Sequence, residues 1–156
     1  MCIRDSVEGY RLVVTYNGKA FDLPFLRRYF RISMDQAHID LRYLLASLGY
    51  RGGLKGCERQ LGLDRGALDG VDGYFAVLLW HDYAENGNER ALDTLLAYNM
   101  RDVVHLETLM VAAYNMKLRA TPFARKRSLS VPAVPDIPFK ADPDTIARIR
   151  RENAWL

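Results

Sequence analysis

Residues 88 to about 114 limit the choice of fold more than any other stretch. Leu92, Leu95, Leu96, Val103, Leu106, Met110 and Ala113 recur there at helical spacing, and Asn88, just after the break at Asn86-Gly87, is a good N-cap. Inside this run stands Tyr98-Asn99-Met100-Arg101-Asp102. A spacing of four puts Tyr98 and Asp102 on one face, a turn apart. On a wheel of about 100° per residue, Asp102 falls inside the apolar arc between Leu109 and Leu95, and Asn99 falls within it too. Arg90, Asp93, Arg101 and Glu107 lie on the other side. A carboxylate on the core side of a helix costs roughly several kcal/mol unless it is paired or bound to a metal. Asp102 therefore calls for either a metal ion or an arginine.

The rest of the pattern is α/β. Arg11-Leu-Val-Val-Thr-Tyr16 is a β-branched run whose apolar residues are consecutive, as in a strand of a parallel sheet covered on both faces, and it ends at the turn signal Asn17-Gly18. Leu23 to Phe30 has helical spacing, and His38 to Leu41 reads as a second short strand leading into a helix through Leu48. Gly49 to Gly53 is a loop, Leu54 to Leu61 a short helix and Gly73 to Glu85 a longer one. Residues 119–140 hold four of the six prolines and the basic run Arg125-Lys126-Arg127, the composition of a linker or surface arm. Asp142-Pro143 then signals a last helix, with Asp142 as N-cap and Pro143 in the first turn.

Composition excludes several classes. The 156 residues suit one domain or a large fragment of one, and 26% charged residues against 49% hydrophobic is the balance of a folded soluble chain. No apolar run is long enough to span a bilayer, and no secretory h-region opens the chain. Cys2 and Cys57 form neither a disulfide framework nor a metal knuckle. A cytoplasmic location is the simplest expectation. The net charge of +3 is uneven: residues 119–156 carry 8 Lys+Arg against 4 Asp+Glu, while residues 1–118 carry 14 against 15. A basic tail on a near-neutral body holds a polyanion by counterion release, or is simply a solvated linker.

A second constellation is Tyr16-Asn17-Gly18-Lys19-Ala20-Phe21-Asp22, where a strand ends in a polar turn with an acid just beyond. Ligands of open α/β sheets bind off the carboxyl ends of strands, which suits Asp22 to a metal or a phosphate-bound water. The alternative is that Asp22 caps the helix that follows, with Pro24 in its first turn. Asp40, at the end of the second strand, is expected to be a helix cap, and His105, three residues past Asp102, a half-buried hydrogen-bonded side chain or an approach to a metal. Cys57 is expected to be a packed thiol, and Trp80 and Tyr83 core residues. Tyr50-Arg51-Gly52-Gly53-Leu54-Lys55 is either a plain surface loop or a contact for a nucleic-acid backbone.

Asn17-x-x-x-Phe21-Asp22 followed by Tyr98-x-x-x-Asp102 resembles the second and third motifs of the DEDDy 3′–5′ exonucleases. The chain resembles more closely still the YprB-type ribonuclease H-like domain, whose Leu-Lys-x-x-Glu-x-x-Leu-Gly segment stands here as Leu54-Lys-Gly-Cys-Glu58-Arg-Gln-Leu61-Gly62, with Asp102-Val-Val-x-Leu106 fitting as well. The resemblance covers roughly residues 9 to 118. It implies an α/β, ribonuclease H-like exonuclease fold, incomplete at its N-terminus and mostly helical. It implies metal-dependent hydrolysis of single-stranded DNA or RNA with two ions, Mg2+ or Mn2+. Asp102 would ligate the first metal, Asp22 would help hold the second through water, Tyr98 would orient the attacking water, and Asn17 would touch substrate. Two ions about 4 Å apart suit such chemistry, and these hard cations suit oxygen ligands.

The family's first motif, Asp-x-Glu, supplies the other two carboxylates, and no Asp in the chain has Glu two residues on. Residues 1–6, Met-Cys-Ile-Arg-Asp-Ser, read as a foreign segment in place of a lost upstream part. The organisation expected is thus a non-native 1–6, a ribonuclease H-like 7–118 and a basic, proline-rich linker with a C-terminal helix at 119–156. The chain alone is expected to be inactive. The rival readings are a catalytically dead nucleic-acid-binding domain and a helical protein-interaction module.

Overall fold

The computed structural model describes Val7 and residues 9–153; the six residues read as foreign lie outside the described residues. The chain forms two compact units. Among the described residues, one gathers the chain up to Gly62 together with Leu106–Ala133, and the other Leu63–His105 together with the chain from Val134 onward.

In the first unit, β1 (Leu12–Thr15) and β2 (Ala37–Asp40) form a two-stranded parallel sheet in which Leu12 faces Ala37 and Thr15 faces Asp40. The parallel pairing agrees with the consecutive apolar run, but burial on both faces does not: Leu12 is exposed and Val13 to Thr15 are half-buried, because β1 pairs with β2 alone among the described residues. The crossover between the strands is α1 (Asp22–Phe25), which continues as a π-helical turn, Leu26–Phe30. After β2 come α2 (Leu41–Ala46) and α3 (Gly53–Gln60), and α2 packs on both strands and on α3. Leu23, Ile32, Leu41, Leu45 and Cys57 are the buried apolar side chains of this segment. Cys57 is the packed thiol expected, with the Tyr16 hydroxyl 3.8 Å from its sulfur. Gly18 is obligatory in the turn after β1, since a Cβ there would meet the Thr15 side chain at 2.4 Å.

The second unit is built on α4 (Gly73–Asn86), the N-terminal part of α5 (Glu89–Leu118) and a helix from the far end of the chain. A 3-10 turn, Gly66–Leu68, precedes α4. In α4 the Asp72 carboxylate accepts from Phe75 N at 2.8 Å, and Gly87, at φ +65, ends the helix. Asn88 caps α5, its Oδ1 accepting from Arg90 N at 3.2 Å. After the exposed turn α6 (Ala124–Arg127) and an extended stretch, α7 (Pro143–Glu152) starts as the sequence signals, with the Asp142 carboxylate accepting from Thr145 N and Pro143 in the first turn.

The core of this unit is Leu68, Val71, Phe75, Leu79, Ala91, Ala97, Tyr98, Ile146 and Ile149. The α7 pattern that reads as a C-terminal helix thus supplies two of its nine buried apolar residues, and Ile137 and Phe139 pack against them. Polar ties fix the helix in place. Asp142 N donates to the buried Thr94 hydroxyl at 2.9 Å, and the Arg150 guanidinium donates to Asp69 O at 2.9 Å. Arg148 donates to the Asp82 carboxylate, which also accepts from Asn86 at 3.0 Å and Asn88 at 2.7 Å. Trp80 departs from expectation: it is half exposed, lying 5.8 Å from the Tyr83 ring instead of within the core.

Asp82 is 8% exposed. Burial alone would raise its carboxyl, but the bonds from Asn86, Asn88 and Arg148 outweigh burial and hold it below the ordinary 3.8. A depressed folded-state value contributes stability that is present above the ordinary value and lost as pH falls through the folded one. Asp82→Asn should therefore cost about 2 kcal/mol near neutrality, and the gap from the parent should close below pH 3.8. Urea unfolding at neutral and acid pH checks this; an equal gap at both would contradict it.

Candidate active site

The buried side of α5 is not the arc that hydropathy picks out. Ala91, Thr94, Ala97, Tyr98, His105, Thr108, Leu109 and Ala113 are buried, whereas Val103 is 65% exposed and Asn99 is exposed. Alanine and threonine let neighbouring elements approach closely, and a hydropathy wheel gives them little weight, so the predicted arc is displaced toward the larger aliphatics.

Asp102 meets its requirement for a counter-charge through Arg65. The guanidinium, whose side chain is 5% exposed, donates to Asp102 Oδ1 at 2.5 Å, and the Asp102 side chain keeps 25% of its surface in solvent. Tyr98 and Asp102 are brought together as the spacing of four requires, joined by a side-chain hydrogen bond. The same guanidinium lies over the Tyr98 ring, 5.5 Å from its centroid. One arginine thus serves the carboxylate and the face of the phenol at once. Of the two partners left open by the sequence, the structure shows the arginine. No motif marks Arg65, so sequence reasoning could demand a cation but not name it.

The Tyr98 hydroxyl is pushed well above its ordinary 10.0, first by burial and then by the negative charge and hydrogen bond of Asp102. It is a protonated donor over the working range, able to hold a carboxylate or a water but not to act as a base.

In the first unit, Asn17 sits at the carboxyl end of β1 with φ +66, a left-handed conformation that Asn tolerates. Its N–H donates to Asp40 Oδ1 at 2.8 Å, and Lys19 N donates to Asp40 Oδ2 at 3.0 Å. Asp40 also accepts from Arg42 N at 3.1 Å, the helix cap expected of it. The carboxylate therefore does more than cap α2: it fastens the turn after β1 to the end of β2. The Arg42 guanidinium donates in turn to Asn17 Oδ1 at 2.5 Å. Asp22 opens α1 but makes no capping bond; its side chain is exposed and has no hydrogen-bond partner among the described residues. The cap reading of Asp22 is thereby lost. Asn17 and Asp22 stand five residues apart around one turn, and Tyr98 and Asp102 belong to the other unit. His105 is fully buried, at 1% exposure, where a half-buried position was expected.

Two divalent ions need several oxygen ligands. Among the described residues no three of His, Cys, Asp and Glu gather as a metal-holding group, and Asp102 is already engaged by Arg65 and Tyr98. The side chains described do not by themselves fit a two-metal site.

Removing Arg65 should leave the Asp102 charge uncompensated beside the core, and Arg65→Ala is expected to destabilise the chain by about 3 kcal/mol. In the Arg65→Ala/Asp102→Asn double variant the charge is gone from both sides, so its loss should be smaller than the sum of the single losses. Strict additivity in urea melts would sink the pairing. Tyr98, with its folded-state value raised, contributes stability that is whole below pH 10.0 and is lost as pH rises past it, because the unfolded chain ionises first. Tyr98→Phe should flatten the alkaline fall of the melting temperature above pH 10.0.

A family model for the RNase H superfamily matches residues 1–114. No curated protein and no solved structure matches the chain.

Proposed function

The chain belongs to the RNase H superfamily, and from that premise we propose that it carries the second and third motifs of a YprB-type, DEDDy 3′–5′ exonuclease acting on single-stranded DNA or RNA. The observation that carries the reading is the Tyr98–Asp102 pair on α5, a protonated phenol hydrogen-bonded to a carboxylate a turn away. In this reading Asp102 and Asp22 would hold metal only together with the carboxylates of the first motif, Tyr98 would position the attacking water and Asn17 would meet the substrate. Bound magnesium or manganese would supply water activation and charge neutralisation at the phosphodiester. Asp22 is suited to such a role because it is exposed and uncommitted. The domain proposed to do this spans residues 7–118, with 119–156 adding the exposed cations of Arg125-Lys126-Arg127.

The Asp-x-Glu of the first motif does not occur in the sequence, so the reading gives the chain two of four carboxylates. A second reading is favoured by a specific observation: Arg65 already neutralises Asp102, which is the state expected of a nucleic-acid-binding domain of the same superfamily without catalysis.

The two separate in a single-strand degradation assay with manganese. The 156-residue chain is expected to bind a labelled oligonucleotide without appreciable hydrolysis. Joined at its N-terminus to a strand that carries Asp-x-Glu, it should degrade the oligonucleotide from the 3′ end, and Asp102→Asn should abolish that activity. Binding without cleavage in the joined protein would select the non-catalytic reading. Absence of binding at low salt would remove both and leave a protein-interaction module.

A further inference from the structure

The first unit holds a cavity of about 390 Å³ bordered by Asn17, Arg42, Tyr50, Arg51, Gly52 and Gly53, with Tyr16 beside them. Two arginines line it and no carboxylate does. The Arg42 guanidinium donates to a neutral amide oxygen, that of Asn17. The Arg51 side chain has no hydrogen bond or ion pair among the described residues, its backbone carbonyl alone being engaged, by Gln60 at 2.6 Å. Tyr16 adds no negative charge, since burial and its contact with Cys57 push its hydroxyl well above the ordinary 10.0. The lining thus carries two guanidinium charges and no carboxylate, the nearby Asp40 being engaged by the N–H groups of Asn17, Lys19 and Arg42, and this favours an anionic group over a metal ion.

The backbone around the cavity has the same preference. Gly52 and Gly53 have φ of +94 and +71, conformations in which a side chain would be strained, and so they bring bare peptide to its edge. Gly52 is the N-cap of α3 and no side chain caps that helix, so the N–H groups of Gly53 and Leu54 have no partner among the described residues and face a ligand or solvent. Arginine presents a planar fork that matches phosphate oxygens in pairs. Tyr50 adds an aromatic surface beside the cations, the pairing used to stack a base while its backbone is held. The volume is in the range of small-ligand sites, roughly 300–1000 Å³, large enough for a nucleotide and not only an ion.

We propose that this cavity binds a backbone phosphate of a single nucleic-acid strand through Arg42 and Arg51, with the adjoining base on Tyr50. The proposal rests on the nucleic-acid reading above and adds to it where the strand is gripped beyond the carboxylates. The loop Tyr50–Gly53 is then a contact for the strand.

The test is fluorescence anisotropy of the full chain with a labelled single-stranded oligo-dT, in EDTA, across a range of salt. Arg51→Ala should weaken binding roughly ten-fold at low salt and lower the log–log salt slope by about 0.7, one phosphate of a single strand. Arg51→Lys, which keeps the charge, should recover most of the slope. Arg42→Gln should act in the same direction as Arg51→Ala. Unchanged affinity and slope in Arg51→Ala would overturn the proposal. Inorganic phosphate should compete only far above the strand concentration; competition at equal concentration would assign the cavity to a free phosphate and overturn the strand contact. EDTA separates binding from hydrolysis. Binding that ignores Arg51 therefore overturns the cavity alone, whereas Arg51-dependent binding by a protein that never cleaves upholds the cavity against the loss of the exonuclease reading.

Discussion

A carboxylate on the buried side of a helix must have a cation or lose its charge, and the fold around Asp102 follows from that condition. Arg65 reaches it from the loop ahead of the 3-10 turn, and its guanidinium also covers the Tyr98 ring. Because one side chain satisfies two partners, the loop, the ring and the carboxylate are fixed together. Tyr98 is itself part of the core with Phe75 and Leu79. The polar pair is therefore held by the same packing that stabilises the unit, and the phenol keeps its proton because it is buried there. A change at any of the three alters the other two.

The first unit solves a comparable problem with backbone donors. Asp40 stands at the end of β2 and accepts from Asn17, Lys19 and Arg42. Three N–H groups from two chain segments converge on one carboxylate, so the turn after β1 is held at the sheet edge by charge-assisted bonds instead of by apolar burial. This leaves the surface there polar and open, which is what a site at the carboxyl ends of strands requires. The Arg42 guanidinium has a neutral partner and that of Arg51 none among the described residues, so the cationic side chains at that edge outnumber its one carboxylate.

Much of this was legible in the residues, and the misses have physical causes. The two strands, the turn at Asn17-Gly18, the long helix and the caps at Asn88 and Asp142 follow from local rules that the structure obeys. The Tyr98–Asp102 pairing follows from helical geometry alone. Arg65 was not legible because it joins Asp102 across 37 residues, and nothing local distinguishes it from the other arginines. The buried side of α5 was misplaced because it rests on alanine and threonine, whose value lies in close approach and not in hydropathy. Asp40 was read as a cap and is one, but its bonds to Asn17 and Lys19 depend on strand pairing that no single stretch encodes.

The placement of α7 has a consequence for how the chain is made. Asp82 finds Arg148 66 residues later, and Ile146 and Ile149 complete a core whose other members were made long before. A ribosome adding about 5–20 residues per second needs roughly 3–13 seconds to cover that interval. Throughout it Leu79 and Phe75 lack their last neighbours and Asp82 its guanidinium. The second unit cannot close as it emerges; it waits for a helix still being translated. During that wait part of its unfinished core is exposed, the general condition under which nascent chains bind chaperones or are cut by proteases.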